Sequence, residues 1–284
     1  MSVFNVNGNT ITSLYGKEGS LIDNAYDVNG NLIFAPSSAD LRVATYNVGG
    51  WYIGSGTNVP TDRKTEYVNL QQSILSAVNA DIVCFQEYWD IFCQDGTTAE
   101  SVIGSYFTQI ETTRAYSTWN GHSIVGNGYT LSNYQSIDFV HSYSAAPSYE
   151  KCYITVGGKT VCVFNTHLST AAGGQKEPQS QEMLEAVANE PYFILMGDFN
   201  TETTDYDDIV KKFVDAGYNS ANLNGSEYHF NTFYTSTGVG KPTDQIITSA
   251  NIEIVYAYVN TIKLTDGLGD KIDHIPFVAE LAIH

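Results

Sequence analysis

The sequence predicts an α/β protein of mixed β-sheets with helices outside them, preceded by a small β-hairpin segment. Three observations carry this expectation. From Leu41 onward, apolar strands alternate with amphipathic helical stretches. Between those units lie strands that no helix separates, and the first forty residues carry a repeated Asn-Gly pattern instead. The 284 residues accommodate one large domain, or one domain and a small appendage, and 43% hydrophobic content supports a sizeable core.

Taken in order, FNVNGNTI at 4–11 and YDVNGNLI at 26–33 repeat one pattern. Each centres on Asn-Gly between β-prone flanks, the signal of a hairpin whose type I′ turn needs positive φ at both central residues. Two such hairpins are too small to hold a core, so they dock on the main domain or on a protein partner. APSSAD at 35–40 reads as a linker, which divides the chain into an accessory segment 1–36 and a main domain 37–284.

LRVATYNV then reads as a strand, and TDRKTEYVNLQQSILSAVNAD as a helix with Tyr67, Leu70, Ile74, Leu75 and Val78 at helical spacing. Strand IVCFQE follows directly. YFTQIETTRAY, SIDFVHSY, EKCYITV and KTVCVFNTHL are strands without helices, the last two joined across Gly157-Gly158 in a tight hairpin. SQEMLEAVANE is a helix before strand YFILMGDF, and TDYDDIVKKFVDAG is a third helix. TDQIITS and FVAELAI complete the strands.

Charge narrows the function. With 31 acidic residues against 13 basic, the net charge is −18. Tight nucleic-acid binding draws on Lys and Arg contacts to phosphate, which argues against a dedicated binding module. An enzyme acting transiently on phosphate esters survives this objection, because a bound divalent cation reverses the local sign. Cys84, Cys93, Cys152 and Cys162 match no Cys-x-x-Cys pattern, and Cys84 and Cys162 sit inside apolar runs as expected of buried thiols. No apolar run approaches the ~20 residues of a membrane span. MSVFNVNGNTIT lacks the basic flank and apolar stretch of a secretory signal, so the expectation is either a protein not exported by that route or one from which the segment has been removed.

The chemistry lies at strand ends, where a buried run fixes a polar tip that meets solvent. VATYN ends in Asn47, IVCFQE in Glu87, VCVFNTH in His167, and FILMGDFN in Asp198 and Asn200. Asp244 opens TDQIITS, and Asp273-His274 stand just before FVAELAI. A cluster of acids in a chain poor in Lys and Arg is mutually repulsive, and a divalent cation is its natural compensation.

In this order, TYNVGG, FQE, NTHLS, GDFN, TDQI and DHIPF resemble the motif series of the endonuclease/exonuclease/phosphatase superfamily, the fold of pancreatic-type deoxyribonuclease. The likeness covers about residues 41–284, with GDFN and THLS its most specific parts. It implies a four-layer α/β/β/α sandwich with the site at one edge of the two sheets. WNGHSIVGNGYTLSNY is similar to the family's central Gly-rich strand pair. The resemblance makes Glu87 the principal metal ligand, Asn47 a further ligand or orienting group, and Asp273 a second metal ligand. It makes Asp198 the group that aligns or deprotonates the attacking water, Asn200 a holder of phosphate oxygen, and His167 a phosphate contact that protonates the leaving oxygen. His274 is the other catalytic histidine, held by Asp244. Glu111 is a counterpart for the glutamate that supports the first histidine in the deoxyribonuclease. Ile272 and Gln245 depart from the usual small and aromatic or basic residues beside Asp273 and Asp244. His122 and His141 have no motif context and read as structural.

The implied enzyme hydrolyses phosphodiesters with Mg²⁺, Mn²⁺ and Ca²⁺ being the alternatives. A nuclease acting on weakly bound DNA or RNA is the first reading. The alternative is a sphingomyelinase-like or inositol-phosphate phosphoesterase, and a third is a non-catalytic module of a phage or surface assembly. Trp51, Tyr52, Tyr88, Trp89 and Trp119 are candidates for an aromatic rim or for half-buried sandwich positions.

Overall fold

The computed structural model describes residues 3–4, 10–11, 25–26, 32–34, 39–49, 64–88, 104, 106–113, 121–143, 146–170, 173–202, 209–224, 227–228, 230–234, 240–260 and 274–284. The chain divides into two compact units, Met1–Ala39 and Asp40–His284. In the first, β1 (Val3–Phe4) pairs with β2 (Thr10–Ile11) and β3 (Ala25–Tyr26) with β4 (Leu32–Phe34), all antiparallel. Each copy of the repeat therefore forms one strand pair. The described pairs Phe4↔Thr10 and Tyr26↔Leu32 bracket the two Asn-Gly stretches. The connections themselves lie outside the described residues.

The second unit begins with β5 (Leu41–Asn47), α1 (Lys64–Val78), β6 (Ile82–Gln86), β7 (Gln109–Thr113) and β8 (His122–Gly126). Then come β9 (Ser132–Tyr143), β10 (Ala146–Val156), β11 (Lys159–His167), α2 (Lys176–Val187) and β12 (Phe193–Asp198). A short α3 (Lys211–Asp215) and β13 (Asn219–Ser220) precede two small pairs, β14 (Leu223–Asn224) with β15 (Glu227–Tyr228), and β16 (Phe233–Tyr234) with β17 (Gly240–Lys241). β18 (Asp244–Thr248), β19 (Ile252–Val259) and β20 (Phe277–Ile283) end the chain.

Twelve strands make two mixed six-stranded sheets, ordered β19-β20-β5-β6-β8-β7 and β13-β18-β12-β11-β10-β9. Each has one parallel pair, β5 with β6 and β11 with β12, and each of those pairs is joined through a helix, α1 or α2. That is the connection a parallel pair requires. α2 starts earlier than its apolar pattern suggests, because Pro178 is tolerated in the first helical turn. Gly157 and Gly158, with φ of 56° and 81°, close the β10–β11 hairpin as the sequence predicts, with Val156 opposite Lys159. The Gly-rich stretch read as a strand pair is a crossing between sheets instead: β8 lies in the first and β9 in the second. Leu131, between them, packs in the core that the sheets share.

Strand alternation assigns the layers. Val43, Ile82, Cys84, Ile124, Val163, Ile194, Met196, Ile246 and Phe277 form the core between the sheets. Ala44, Tyr46, Val83 and Phe85 meet Ile74, Leu75 and Val78 of α1. Phe164, Phe193, Leu195 and Ile247 meet Met183 and Val187 of α2 and Phe213 of α3. The result is the α/β/β/α sandwich. Cys84, Cys152 and Cys162 are free and buried within it, as a small apolar side chain would be. Among the described residues no helix is long and apolar enough to cross a membrane.

Candidate active site

In a strand, residues two apart share a face, so the inward rows that build the core also decide what stands at its rim. Thr45 and Asn47 continue the inward row of β5, Gln86 that of β6, and Asn165 and His167 that of β11. Asp198 ends the inward row of β12, and Asp244 begins that of β18. The registers His167↔Asp198, Asp198↔Asp244 and Asn47↔Gln86 bring these tips to one edge of each sheet. Asn47 Nδ2 then joins the sheets, donating to Asp198 Oδ2 at 2.9 Å and to Glu87 Oε1 at 3.1 Å.

Backbone geometry sharpens two of the tips. Strict alternation sends Glu87 outward, but its φ of 52° breaks the strand and puts its carboxylate within reach of Asn47. Such a conformation costs a non-glycine residue of order 1–3 kcal/mol, so the surroundings must hold it there. Asn200 has φ 49°, which asparagine tolerates better. Its N–H donates to Asp198 Oδ1 at 2.7 Å, and its Nδ2 to Leu168 O at 2.7 Å. Phe199, between Asp198 and Asn200, points into the outer core beside Phe213, with ring centroids 6.2 Å apart.

Asp198 Oδ2 is the centre of the cluster. His274 Nε2 lies 3.6 Å from it and His167 Nε2 3.7 Å. His274 Nδ1 donates to Asp244 Oδ2 at 2.9 Å, and the Phe233 ring stands edge-on to the imidazole at 4.9 Å. Asp244 also accepts from Thr243 Oγ1 at 2.9 Å. Burial pushes the Asp198 carboxyl above its ordinary range. Asp244 adds to that, while His274, His167 and the Asn47 amide pull it back. Burial likewise raises Glu87, opposed by His167, Asn47 and His274. Among the described residues, the ion-pair partners of Asp198 and Asp244 are histidines, with no Lys or Arg.

The structure therefore brings together Asn47, Glu87, His167, Asp198, Asn200, Asp244 and His274. Asp273, Trp51, Tyr52, Trp89, Trp119 and Cys93 lie outside the described residues. Tyr88 is a core residue, buried against Phe85 at 5.9 Å rather than on a rim. Glu111 sits in β7, where its carboxylate accepts from Gln109 Nε2 at 2.8 Å. The ring beside His167 is that of His122, with centroids 6.3 Å apart. His141 is on the surface with Nδ1 2.7 Å from Glu182. Gln245, the departure next to Asp244, faces outward and donates to Thr201 Oγ1 (3.0 Å) and Pro242 O (2.7 Å), fixing the chain past Asn200.

Motif reading missed a polar shelf beneath the cluster. Gln86 Nε2 donates to Asn165 Oδ1 at 2.8 Å. Asn165 Nδ2 reaches Phe85 O, Ser123 O and Glu150 Oε2 at 2.9–3.2 Å, and Tyr134 Oη closes on Glu150. The available signal was a polar residue on an inward row, at Gln86 and Asn165.

His122 is fully buried, and neither ring nitrogen finds a partner among the described residues. Burial, with the charge of His167, lowers its pKa from 6.5 to about 3. The unfolded chain thus takes up this proton near pH 6.5 and the folded protein does not. Stability present above pH 6.5 is lost as pH falls toward 3, by about 1.4 kcal/mol per pH unit. In His122→Asn, denaturant unfolding between pH 6.5 and 4 should show a slope of stability with pH smaller by about one proton. An unchanged slope would mean that the native ring protonates freely.

An α/β/β/α sandwich with carboxylates and imidazoles converging at one edge defines the phosphoesterase class of the deoxyribonuclease-like fold. The chain belongs to the Endonuclease/Exonuclease/phosphatase family, whose model matches residues 4–266. Comparison with curated proteins by sequence found no match. Among solved structures, D. rerio TDP2 complexed with single-strand DNA product is similar at TM-score 0.66 and 15% identity, covering 87% of this chain and 100% of that one. The human Nocturnin catalytic domain with bound sulfate is similar at TM-score 0.65 and 18% identity, with 87% and 94% covered. An endonuclease/exonuclease/phosphatase from Beutenbergia cavernae gives 0.59 and 16%, with 86% and 72% covered.

Proposed function

We propose that the protein is a divalent-metal-dependent phosphodiesterase that hydrolyses nucleic acid by in-line attack of water. The observation that carries this is the meeting of His167, His274 and Asn47 on one buried oxygen, Asp198 Oδ2. Hydrolysis of a phosphodiester needs a group to take the proton of water and positive charge where the phosphoryl oxygens gain electrons. Asp198, raised by burial toward working pH, is the base. Asn200 keeps the second proton of its amide for a phosphate oxygen, since only one is used on Leu168 O. His274, oriented through Nδ1 by Asp244, presents Nε2 to the phosphate, and His167, whose Nε2 lies 3.7 Å from Asp198 Oδ2, serves the leaving oxygen.

The donors present fit a hard cation. The Glu87 and Asp198 carboxylates converge on Asn47 Nδ2 at 3.1 and 2.9 Å, and carboxylate oxygen is what Mg²⁺ selects. Donor atoms of Asp198, Asp244 and His274 lie within 4.8 Å of one another. However, the Asp244–His274 hydrogen bond uses that pair as an orienting couple, which leaves Glu87 as the ligand, joined by Asp273. Asn47 orients Glu87, because its amide nitrogen faces the carboxylates while its Oδ1 accepts from Gly49 N at 3.0 Å. Bound there, Mg²⁺, or Mn²⁺ or Ca²⁺, supplies positive charge to the phosphoryl oxygens.

D. rerio TDP2, of the same fold, was solved with single-strand DNA product, which favours nucleic acid as the substrate class. The test is hydrolysis of bis(p-nitrophenyl) phosphate together with plasmid nicking. EDTA should abolish both and Mg²⁺ restore both. Metal-independent turnover, or none at all, overturns the reading. Release of phosphocholine or inositol phosphate without nicking assigns the site to lipid or small-molecule esters.

A further inference from the structure

A cleft of about 250 Å³ opens beside the cluster. Asn200 and His274 are among its lining residues, together with Phe233, Thr243, Lys241 and Glu202. Lys241 Nζ meets Glu202 Oε1 at 2.6 Å, yet both side chains are well exposed, 34% and 47%. Lys176, only 8% exposed, donates from Nζ to Asn200 O at 2.8 Å and so stands at the base of the same turn. The hydrogen bond from Lys241 holds the Glu202 carboxyl below its ordinary range; burial opposes it, and the charges of Lys241 and Lys176 add to it. In a chain with 13 basic residues against 31 acidic ones, an ammonium group lining the cleft, Lys241, marks an anion position, with the charge of Lys176 behind it at the turn. The anion there is the protein's own carboxylate.

We propose that this cleft is a second phosphate subsite, in which the phosphate next to the scissile one displaces the Glu202 carboxylate from Lys241. The inference rests on the phosphodiesterase reading above and narrows its substrate: a strand with successive phosphates, not a diester standing alone. Three physical points support it. A cleft this size, just under the range of drug-sized pockets, suits one sugar-phosphate unit. An exposed ion pair contributes little, so its exchange meets slight resistance. Phosphate offers charge-assisted acceptors at least as good as the carboxylate it replaces. Glu202 acts as a gate in charge: it keeps Lys241 placed while the cleft is empty, and it repels an anion that does not engage Lys241.

The test compares wild type, Lys241→Gln and Glu202→Gln on two substrates with Mg²⁺. Bis(p-nitrophenyl) phosphate has no flanking phosphate; a single-stranded tetranucleotide has. Lys241→Gln should lower the ratio of kcat/KM, tetranucleotide over bis(p-nitrophenyl) phosphate, about tenfold, chiefly through KM. Glu202→Gln should raise that ratio several-fold. The same ratio in all three proteins overturns the subsite. Fluorescence anisotropy of a labelled tetranucleotide in EDTA reads the subsite without turnover. Weaker binding by Lys241→Gln in a protein that hydrolyses neither substrate would keep the subsite and reject the hydrolase. Hydrolysis of both substrates with binding and ratio unmoved would do the reverse.

Discussion

Asp198→Asn is expected to lower turnover of bis(p-nitrophenyl) phosphate by about 10³-fold while raising stability at pH 7, measured in EDTA. The two effects have one cause. A carboxamide preserves shape and an oxygen to accept from Asn200 N, so the turn at 199–201 keeps its hydrogen bond. It removes the charge that burial disfavours and that Asp244 opposes, a gain expected to exceed the loss of the hydrogen bond from Asn47 Nδ2, which would then face an amide nitrogen in place of Oδ2. It also removes the proton acceptor, and a positioned proton-transfer group is worth roughly 10²–10⁴ in rate. Stability and chemistry pull against each other at such a site. Steady-state kinetics and denaturant titration decide the matter. A variant that is less stable and still turns over near the wild-type rate would deny Asp198 the role of base.

The largest expected stability loss comes from Gly197→Ala, at about 3 kcal/mol or more. Gly197 has φ 155°, and a Cβ built there would lie 1.9 Å from Thr166 O, main chain of the neighbouring strand. Overpacking alone typically costs about 1–3 kcal/mol, and a glycine-only backbone region adds a comparable strain. Relief would require parting β11 from β12, the pair that sets His167 opposite Asp198. Gly158→Ala is the control, since its φ is 81° but nothing lies within 4 Å of the added carbon. Urea unfolding should separate the two. Equal losses would show that positive φ, and not the close approach, governs both.

How much of this was legible depends on what each signal measures. Periodicity of two marked β5, β11, β12 and β18, and the polar residue ending or opening each row marked the candidate site. The positive-φ glycine pair marked the β10–β11 turn because two-residue hairpins demand that geometry. His122 was read as structural, since a histidine on an inward row carries no local sign of what faces it. Glu111 matched a support for His167 by type alone, but its carboxylate accepts from Gln109, and the ring beside His167 is that of His122. Tyr88 was a rim candidate for the same reason, and packing on Phe85 made it core.

By itself, then, the sequence determined the residue types, the strands that carry them and the end of each strand at which chemistry stands, because alternation and turn preference are local. Only the tertiary structure decided which tips meet. Register between strands remote in sequence put Asp198 opposite both His167 and Asp244. Packing of one sheet on the other brought Asn47 to Asp198 across 151 positions of chain. That pairing is a property of two surfaces fitted together, and neither surface encodes it alone.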